Sequence, residues 1–345
     1  MTVSSEPKSE IASIIIPTLN EEANIERVIK SLYDQDYRPM EIVIVDGGST
    51  DGTLNKAHDL QRKYSNESFV IKILRGVDFG KTLTPANLKN IGIEKSCGDY
   101  LIFLDADMFP LEKFFISKVV KALRNYPWVG VKIKTVIDTR IEKAIVAEGS
   151  AFYRDSPEYG KRKYCAIKRE LVKKRAFDPS LGIYEDVDFF EDYLERKLRL
   201  KPFFIDALLG MHDVHTFKQF CRRERWYGRA ILPYVLKRLK DSPKQYCIKV
   251  MIERIAPILL PFLALIFACL ALTETSFYYM LVPILGLFLY RRIRFFKKIP
   301  AEYRTPDILL LLTVLGCIIR PVTYGFGLIE GLFGYLRGSI KLTRD

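Results

Sequence analysis

The chain has 345 residues, 28% of them charged and 49% apolar. It is too long for a disulfide-stapled miniprotein, too apolar for a disordered chain and too charged to lie in lipid along its whole length. Its 54 lysines and arginines outnumber 41 acids to give +13, an excess that suits an anionic lipid surface, phosphorylated substrates or nucleic acid.

In chain order, residues 1–12 read as a disordered lead-in with no apolar stretch of the kind a secretory signal needs, which predicts a cytoplasmic soluble half. From residue 13 to 230, short β-branched runs (SIIIP, EIVIVD, FVIKIL, DYLIFLDAD) alternate with stretches of helical period. That alternation predicts an α/β, Rossmann-like, mostly parallel sheet with crossover helices. In the first helix Asn20 is the expected N-cap, Glu21 and Glu22 lie in the first turn, and Ile25, Val28, Ile29 and Leu32 form one apolar stripe. Ligands of open parallel sheets bind beyond the carboxyl ends of strands, so the residues after each apolar run are where chemistry is expected.

Between Lys218 and Arg254 stand 11 basic and 3 acidic residues, immediately before the first long apolar run. Bases beside a membrane segment favour an anionic leaflet, so residues 231–254 are expected to be basic juxtamembrane helices, and nucleic acid is not the expected partner. Residues 255–345 read as a helical membrane domain. Ile255 to Leu272 is 18 residues without a charge, about 27 Å of helix and close to the thickness of a bilayer core. Spans are expected at about 255–272, 276–290 and 307–320, with 322–338 either a fourth span or an interfacial helix. Glycines Gly327, Gly331, Gly334 and Gly338 have the spacing of a close helix-packing face, which admits a homo-oligomer. The six cysteines have no CxxC spacing and fit a reduced compartment.

Four motifs carry candidate chemistry. Asp105 and Asp107 follow the run YLIF, and two carboxylates one residue apart at a strand end can share a hard divalent cation that keeps positions open for phosphate oxygens; a turn with two solvated aspartates is the plain alternative. Within VDGGSTDGT, Asp46 ends a strand and can accept hydrogen bonds from a base or ribose, although Ser49 or Asp51 could equally cap the next helix. YEDVDFFED, Tyr184 to Asp192, gathers five carboxylates and offers a general base, or the acidic first turn of a helix with Val187, Phe190 and Leu194 inward. His212 and His215 precede QFCRRERWYGRA, so a histidine could complete a metal shell and the arginines could hold a diphosphate.

In this order, PTLNEE, VDGGSTDGT, KNIGIEKSCGDYLIFLDAD and YEDVD resemble the inverting family 2 glycosyltransferases of GT-A fold, over roughly Ser13 to Ala230. The resemblance implies that Pro17, Thr18, Glu21 and Asp46 hold the nucleotide. Asp105 and Asp107, with His215, would carry Mg²⁺ or Mn²⁺ on the diphosphate of a UDP- or GDP-sugar, and Asp186 would be the catalytic base. Lys89, in place of the family's usual arginine, and Arg222, Arg225 and Trp226 would contact the donor. Arg222 stands where processive members have glutamine, so processive synthesis is not implied. The expected protein is a multi-pass enzyme of the cell membrane with its catalytic domain in the cytoplasm, acting on a hydroxyl of a lipid or lipid-linked saccharide. A polyprenyl phosphate acceptor, clamped by the eight bases between Lys161 and Arg175, is the first alternative, and a non-catalytic nucleotide-sugar-sensing membrane adaptor the second.

Overall fold

The computed structural model describes residues 10–136, 140–144, 161–211, 216–241, 278–297, 304–314 and 319–336, with single positions at 263, 266, 270 and 299. They form two compact units.

The first unit is an eight-stranded mixed sheet in the order β3-β2-β1-β4-β7-β6-β8-β5. Its strands are β1 (Ala12–Thr18), β2 (Met40–Asp46), β3 (Phe69–Arg75), β4 (Tyr100–Phe103), β5 (Met108–Pro110), β6 (Trp128–Thr135), β7 (Lys161–Lys168) and β8 (Phe203–Met211). The β1–β4 block is parallel throughout, as the alternation predicts. Beyond it β7 pairs antiparallel with β4 and β6, β5 pairs antiparallel with β8 and β6 pairs parallel with β8, so the sheet is mixed with parallel pairs in the majority. β1 and β2 are buried on both faces, the state in which β-branched residues run without polar alternation.

Helix α1 (Ile25–Tyr33) buries Ile25, Val28, Ile29 and Leu32, the stripe read from sequence. It begins at Ile25, not behind Asn20. The amides of Glu21 and Glu22 are taken by Thr53 Oγ1 at 2.8 Å and Asp51 Oδ2 at 3.3 Å, and Asn20 turns into the left-handed region at φ +56° to meet the neighbouring loop. α2 (Thr53–Tyr64), α3 (Pro85–Lys95) and α4 (Phe115–Asn125) follow. A wide helix with π-type hydrogen bonding, α5 (Val187–Lys197), puts Phe189, Phe190, Tyr193 and Leu194 into the core beside Trp128, Phe103 and Phe177. Sequence expected Val187, Phe190 and Leu194 inward; the wider turn brings Phe189 in and leaves Val187 half-buried. Trp128 stacks on Phe190 at 5.6 Å and donates to the Leu200 carbonyl at 3.0 Å, which anchors both ends of α5.

The second unit contains α6 (Phe217–Asp241), α7 (Tyr278–Phe296), α8 (Pro306–Val314) and α9 (Arg320–Leu336). Residues 136–160 and 213–341 make up the second unit, so α6, which sequence gave largely to the sugar-nucleotide domain, falls with the C-terminal helices. α6 and α9 approach backbone to backbone: a Cβ on Gly327 would lie 1.9 Å from the Arg225 carbonyl oxygen, and one on Gly228 would lie 2.0 Å from that of Tyr324. The glycine spacing of α9 thus serves contact within the chain at Gly327 and Gly331. Around it Arg225 and Arg229 bind Glu330, and Arg320 binds Glu224 at 2.8 Å.

Among the described residues no helix is long and apolar enough to cross a membrane. The expected span 276–290 corresponds to α7, which has an apolar stretch of about 20 Å before it runs on through Arg291, Arg292 and Arg294. The expected spans 307–320 and 322–338 correspond to α8 and α9, and α9 carries Arg320 and Glu330 in its ion pairs. The span at 255–272 lies outside the described residues except at three positions.

Candidate active site

The site is built at the carboxyl ends of β1, β2 and β4. Parallel pairing sets Thr18 beside Asp46 and Ile15 beside Phe103, and Asp105 stands two residues past Phe103. The loops after β1 and β2 close on each other. The Gly47 amide donates to the Thr18 carbonyl at 2.7 Å, that of Asn20 to Ser49 Oγ at 2.9 Å, that of Thr50 to Asn20 Oδ1 at 2.8 Å, and that of Gly52 to Glu22 Oε2 at 2.9 Å. Gly48 sits at φ +93°, where a side chain would be strained.

Asp46 is 2% exposed. Its Oδ2 accepts the amides of Gly48 and Ser49 at 2.9 and 3.0 Å, while Oδ1 is buried with no hydrogen-bond partner among the described residues. A buried acceptor left so costs about 1–3 kcal/mol, which a donor group on a ligand would recover. Pro17 and Glu21 are half-buried, and Glu21 Oε2 accepts from Asn24 Nδ2 at 2.8 Å.

Lys89 lies on the buried face of α3, 4% exposed, and donates to Glu185 Oε1 at 2.7 Å. Burial alone would drive its ammonium towards neutrality, but Glu185, Asp105 and Asp186 outweigh that and hold its pKa well above the ordinary lysine value. Its ammonium is enclosed and paired with a carboxylate of the protein. Sequence gave no sign of this pairing, because the partners are far apart along the chain.

The five carboxylates of Tyr184 to Asp192 are sorted by structure. Glu185 takes Lys89, Asp188 takes Arg175, and Asp192 takes Arg196 at 2.6 Å. Burial pushes Glu191 above the ordinary glutamate value. Asp186, half-buried, stands at the N-terminus of α5, where Oδ1 accepts the Val187 amide at 2.8 Å. Tyr184, two residues before it, is held at φ +59°, a costly backbone state for a residue with a side chain.

Asp105 and Asp107 are half-buried in the turn after β4, closed by the Met108 amide on the Asp105 carbonyl at 2.9 Å. Among the described residues no three His, Cys, Asp or Glu side chains gather in metal-binding geometry. Two hard oxygen donors still fit a small divalent cation that completes its shell with substrate phosphates and water. His215 and His212 lie outside the described residues.

Arg222, Arg225 and Trp226 stand on α6 in the second unit. Arg225 pairs with Glu330, Arg222 is exposed and Trp226 packs on Tyr227 at 5.2 Å. Of the eight bases from Lys161 to Arg175, Arg169 is spent on the Ile93 carbonyl at 3.0 Å and on Ser96 Oγ at 2.8 Å, and Arg175 on Asp188.

Known proteins place this arrangement. The model of glycosyl transferase family 2 matches residues 13–175. A Methanococcus voltae relative, a dolichyl N-acetyl-alpha-D-glucosaminyl phosphate 3-beta-D-2,3-diacetamido-2,3-dideoxy-beta-D-glucuronosyltransferase, is 36% identical over 242 residues, 63% of this chain and 72% of its own. An uncharacterized glycosyltransferase of Haemophilus influenzae is 30% identical over 198 residues, 54% of this chain and 72% of its own. The solved mannosyltransferase PcManGT of Pyrobaculum calidifontis, in complex with GDP-Man and Mn²⁺, shares the fold at a TM-score of 0.59 and 17% identity, over 94% of this chain and 87% of that one. With its GT-A-like sheet and its carboxylates gathered at the strand ends, this chain belongs to glycosyltransferase family 2 and is a glycosyltransferase.

Proposed function

We propose that the protein transfers a sugar, with inversion, from a UDP- or GDP-sugar to a hydroxyl of a lipid-linked saccharide at the cytoplasmic face of the cell membrane. The observation that carries this reading is the 2.7 Å bond from buried Lys89 on α3 to Glu185, which stands directly before Asp186, with Asp105 and Asp107 past the end of β4 in the same unit. Donor-side and acceptor-side carboxylates thereby converge on one site.

The nucleoside lies against Pro17, Thr18, Glu21 and Asp46, with the free Asp46 Oδ1 accepting from its base or ribose. Asp105 and Asp107 would hold Mg²⁺ or Mn²⁺, which would neutralise the departing diphosphate. Asp186 takes the proton of the acceptor hydroxyl, whose oxygen forms the new bond to the anomeric carbon on the face opposite the leaving group. The bond from that carbon to the diphosphate breaks, and nucleoside diphosphate departs.

A hydroxyl acceptor is favoured over a phosphate because a phosphate is already ionised and needs no base, and because Arg169 and Arg175 are spent inside the fold. The Methanococcus voltae relative, which by its name modifies a sugar carried on dolichyl phosphate, supports the same choice. Membrane attachment draws on the second unit. α7 exposes Tyr279, Val282, Leu285, Leu287, Leu289 and Tyr290 around its girth, and α9 exposes Val322, Phe326, Ile329 and Phe333 along one face. The basic α6 and the positive segment after it suit an anionic leaflet. Purified protein should be offered its donor with bare polyprenyl phosphate and, separately, with the saccharide-bearing lipid. Transfer confined to the saccharide-bearing lipid agrees with the proposal; efficient transfer to the bare phosphate overturns it.

A further inference from the structure

Helix α3 reaches the segment that carries Asp186 at three points. Thr84 Oγ1, at its N-cap, donates to the Pro179 carbonyl at 3.3 Å. Asn90 exchanges two hydrogen bonds with the backbone of Phe177, donating from Nδ2 to its carbonyl at 2.8 Å and accepting its amide on Oδ1 at 3.0 Å. Lys89 closes the far end on Glu185 at 2.7 Å and also lies 5.3 Å from the Phe177 ring. Buried Lys89 and half-buried Asn90 thus face residues 177–185, where an ordinary crossover helix would present apolar side chains.

We propose that Lys89 and Asn90 are positioning residues: together they clamp the segment from Phe177 to Glu185 so that Asp186 is held ready at the N-terminus of α5, and neither touches the donor. Three features support this. Lys89 is too enclosed to meet a diphosphate without leaving Glu185. Tyr184 holds a backbone state that persists only where its surroundings over-determine it, and the clamp supplies fixed points before and after it. Asp186 follows Glu185 directly, so a shift of the buried carboxylate moves the base.

The inference rests on Asp186 acting as the base, and the experiment separates the two. Lys89→Met, Lys89→Arg, Asn90→Ala, Asp186→Asn and the double variant Lys89→Met/Glu185→Leu are compared with the parent protein. Readouts are kcat, affinity for free UDP and GDP with Mn²⁺, and amide hydrogen exchange at Val187, whose N–H reports on Asp186. The clamp predicts that Lys89→Met loses about 100-fold in kcat, the usual cost of displacing a reacting group by about 1 Å. Nucleotide affinity should stay within about threefold of the parent. Exchange at Val187 should rise at least about tenfold more than in β1 and β2, and in Asn90→Ala it should rise in the same direction.

Replacing both partners by apolar side chains removes the stranded Glu185 charge, so the double variant should regain at least about tenfold in kcat over Lys89→Met. Lys89→Arg keeps a cation on Glu185 and should stay within about tenfold of the parent. The proposal is overturned by nucleotide affinity falling with kcat in Lys89→Met, by a double variant no better than the single, or by Val187 exchange that does not change. Full activity in Asp186→Asn instead removes the base assignment, and the exchange readout still decides whether the clamp exists.

Discussion

In the first unit a single buried lysine meets Glu185 at 2.7 Å, with Asp105 and Asp186 acting on the same charge. In the second, Arg225 and Arg229 converge on Glu330 and Arg320 meets Glu224, beside glycines that let α6 and α9 touch backbone to backbone. The side-chain types are similar and the uses differ. Lys89 is buried among carboxylates that include the proposed base and a proposed metal ligand, so its charge belongs to the candidate site. The ion pairs of the second unit are partly open, with Arg225 half-exposed, and they register two helices whose close approach the glycines permit. Motif spacing cannot tell these uses apart; what each charge meets in the fold does.

The widest separation between the units should appear in turnover. Asp107→Ala is expected to abolish transfer while the thermal unfolding midpoint stays near that of the parent, and measurable transfer with added Mn²⁺ would break the metal assignment. Asp186→Asn is expected to lower kcat by about 10²–10⁴-fold, the range of a lost general base. Neither change touches the second unit.

Gly327→Ala sharpens the comparison from the other side. Its Cβ would meet backbone, which side-chain rotation cannot relieve, so a loss of about 1–3 kcal/mol is expected in urea unfolding of the second unit. Nucleotide affinity in the first unit should be unchanged, and a parallel loss of nucleotide binding would contradict the separate role given to the α6–α9 contact.

Part of this was legible in the sequence. The strands at 13–17, 41–46 and 69–74 and the stripe of α1 follow from β-branched runs and helical period, because local periodicity is dictated by which face is buried. Asp46, Asp105 and Asp107 were legible because each follows a strand, and parallel strands bring their carboxyl ends together. The pairing of Lys89 with Glu185, the turn of Asn20 into its neighbouring loop and the docking of Gly327 on Arg225 were not. Each joins residues distant in the chain, and neither side carries a local mark of its partner. The wide turn of α5 escaped for a related reason: Phe189 packs inward on Phe177, which lies outside its own helix.

Smaller effects test the supporting structure. Asp46→Ala removes the acceptor at Oδ1 and should weaken binding of free nucleotide by about tenfold, measured by titration calorimetry. Glu41 accepts from Ser13 Oγ at 2.7 Å, from the Cys97 amide at 2.9 Å and from Lys72. Burial opposes its ionisation, but those hydrogen bonds prevail and hold it below its ordinary value of 4.5. Its contribution is therefore present above that pH and lost as the pH falls through the lower folded value. Glu41→Gln should cost about 2 kcal/mol at pH 7, and its urea midpoint should converge with the parent's under strong acid. Glu330→Gln, at a partly open pair, should cost under about 1 kcal/mol and less in high salt.

The most direct test of the central claim is release of nucleoside diphosphate by detergent-purified protein from a panel of UDP- and GDP-sugars, with Mn²⁺ or Mg²⁺, with and without native lipid extract. The account predicts metal-dependent release from one donor, stimulated by the lipid. Metal-independent release, or no release from any donor by folded protein that binds the nucleotide, would contradict it.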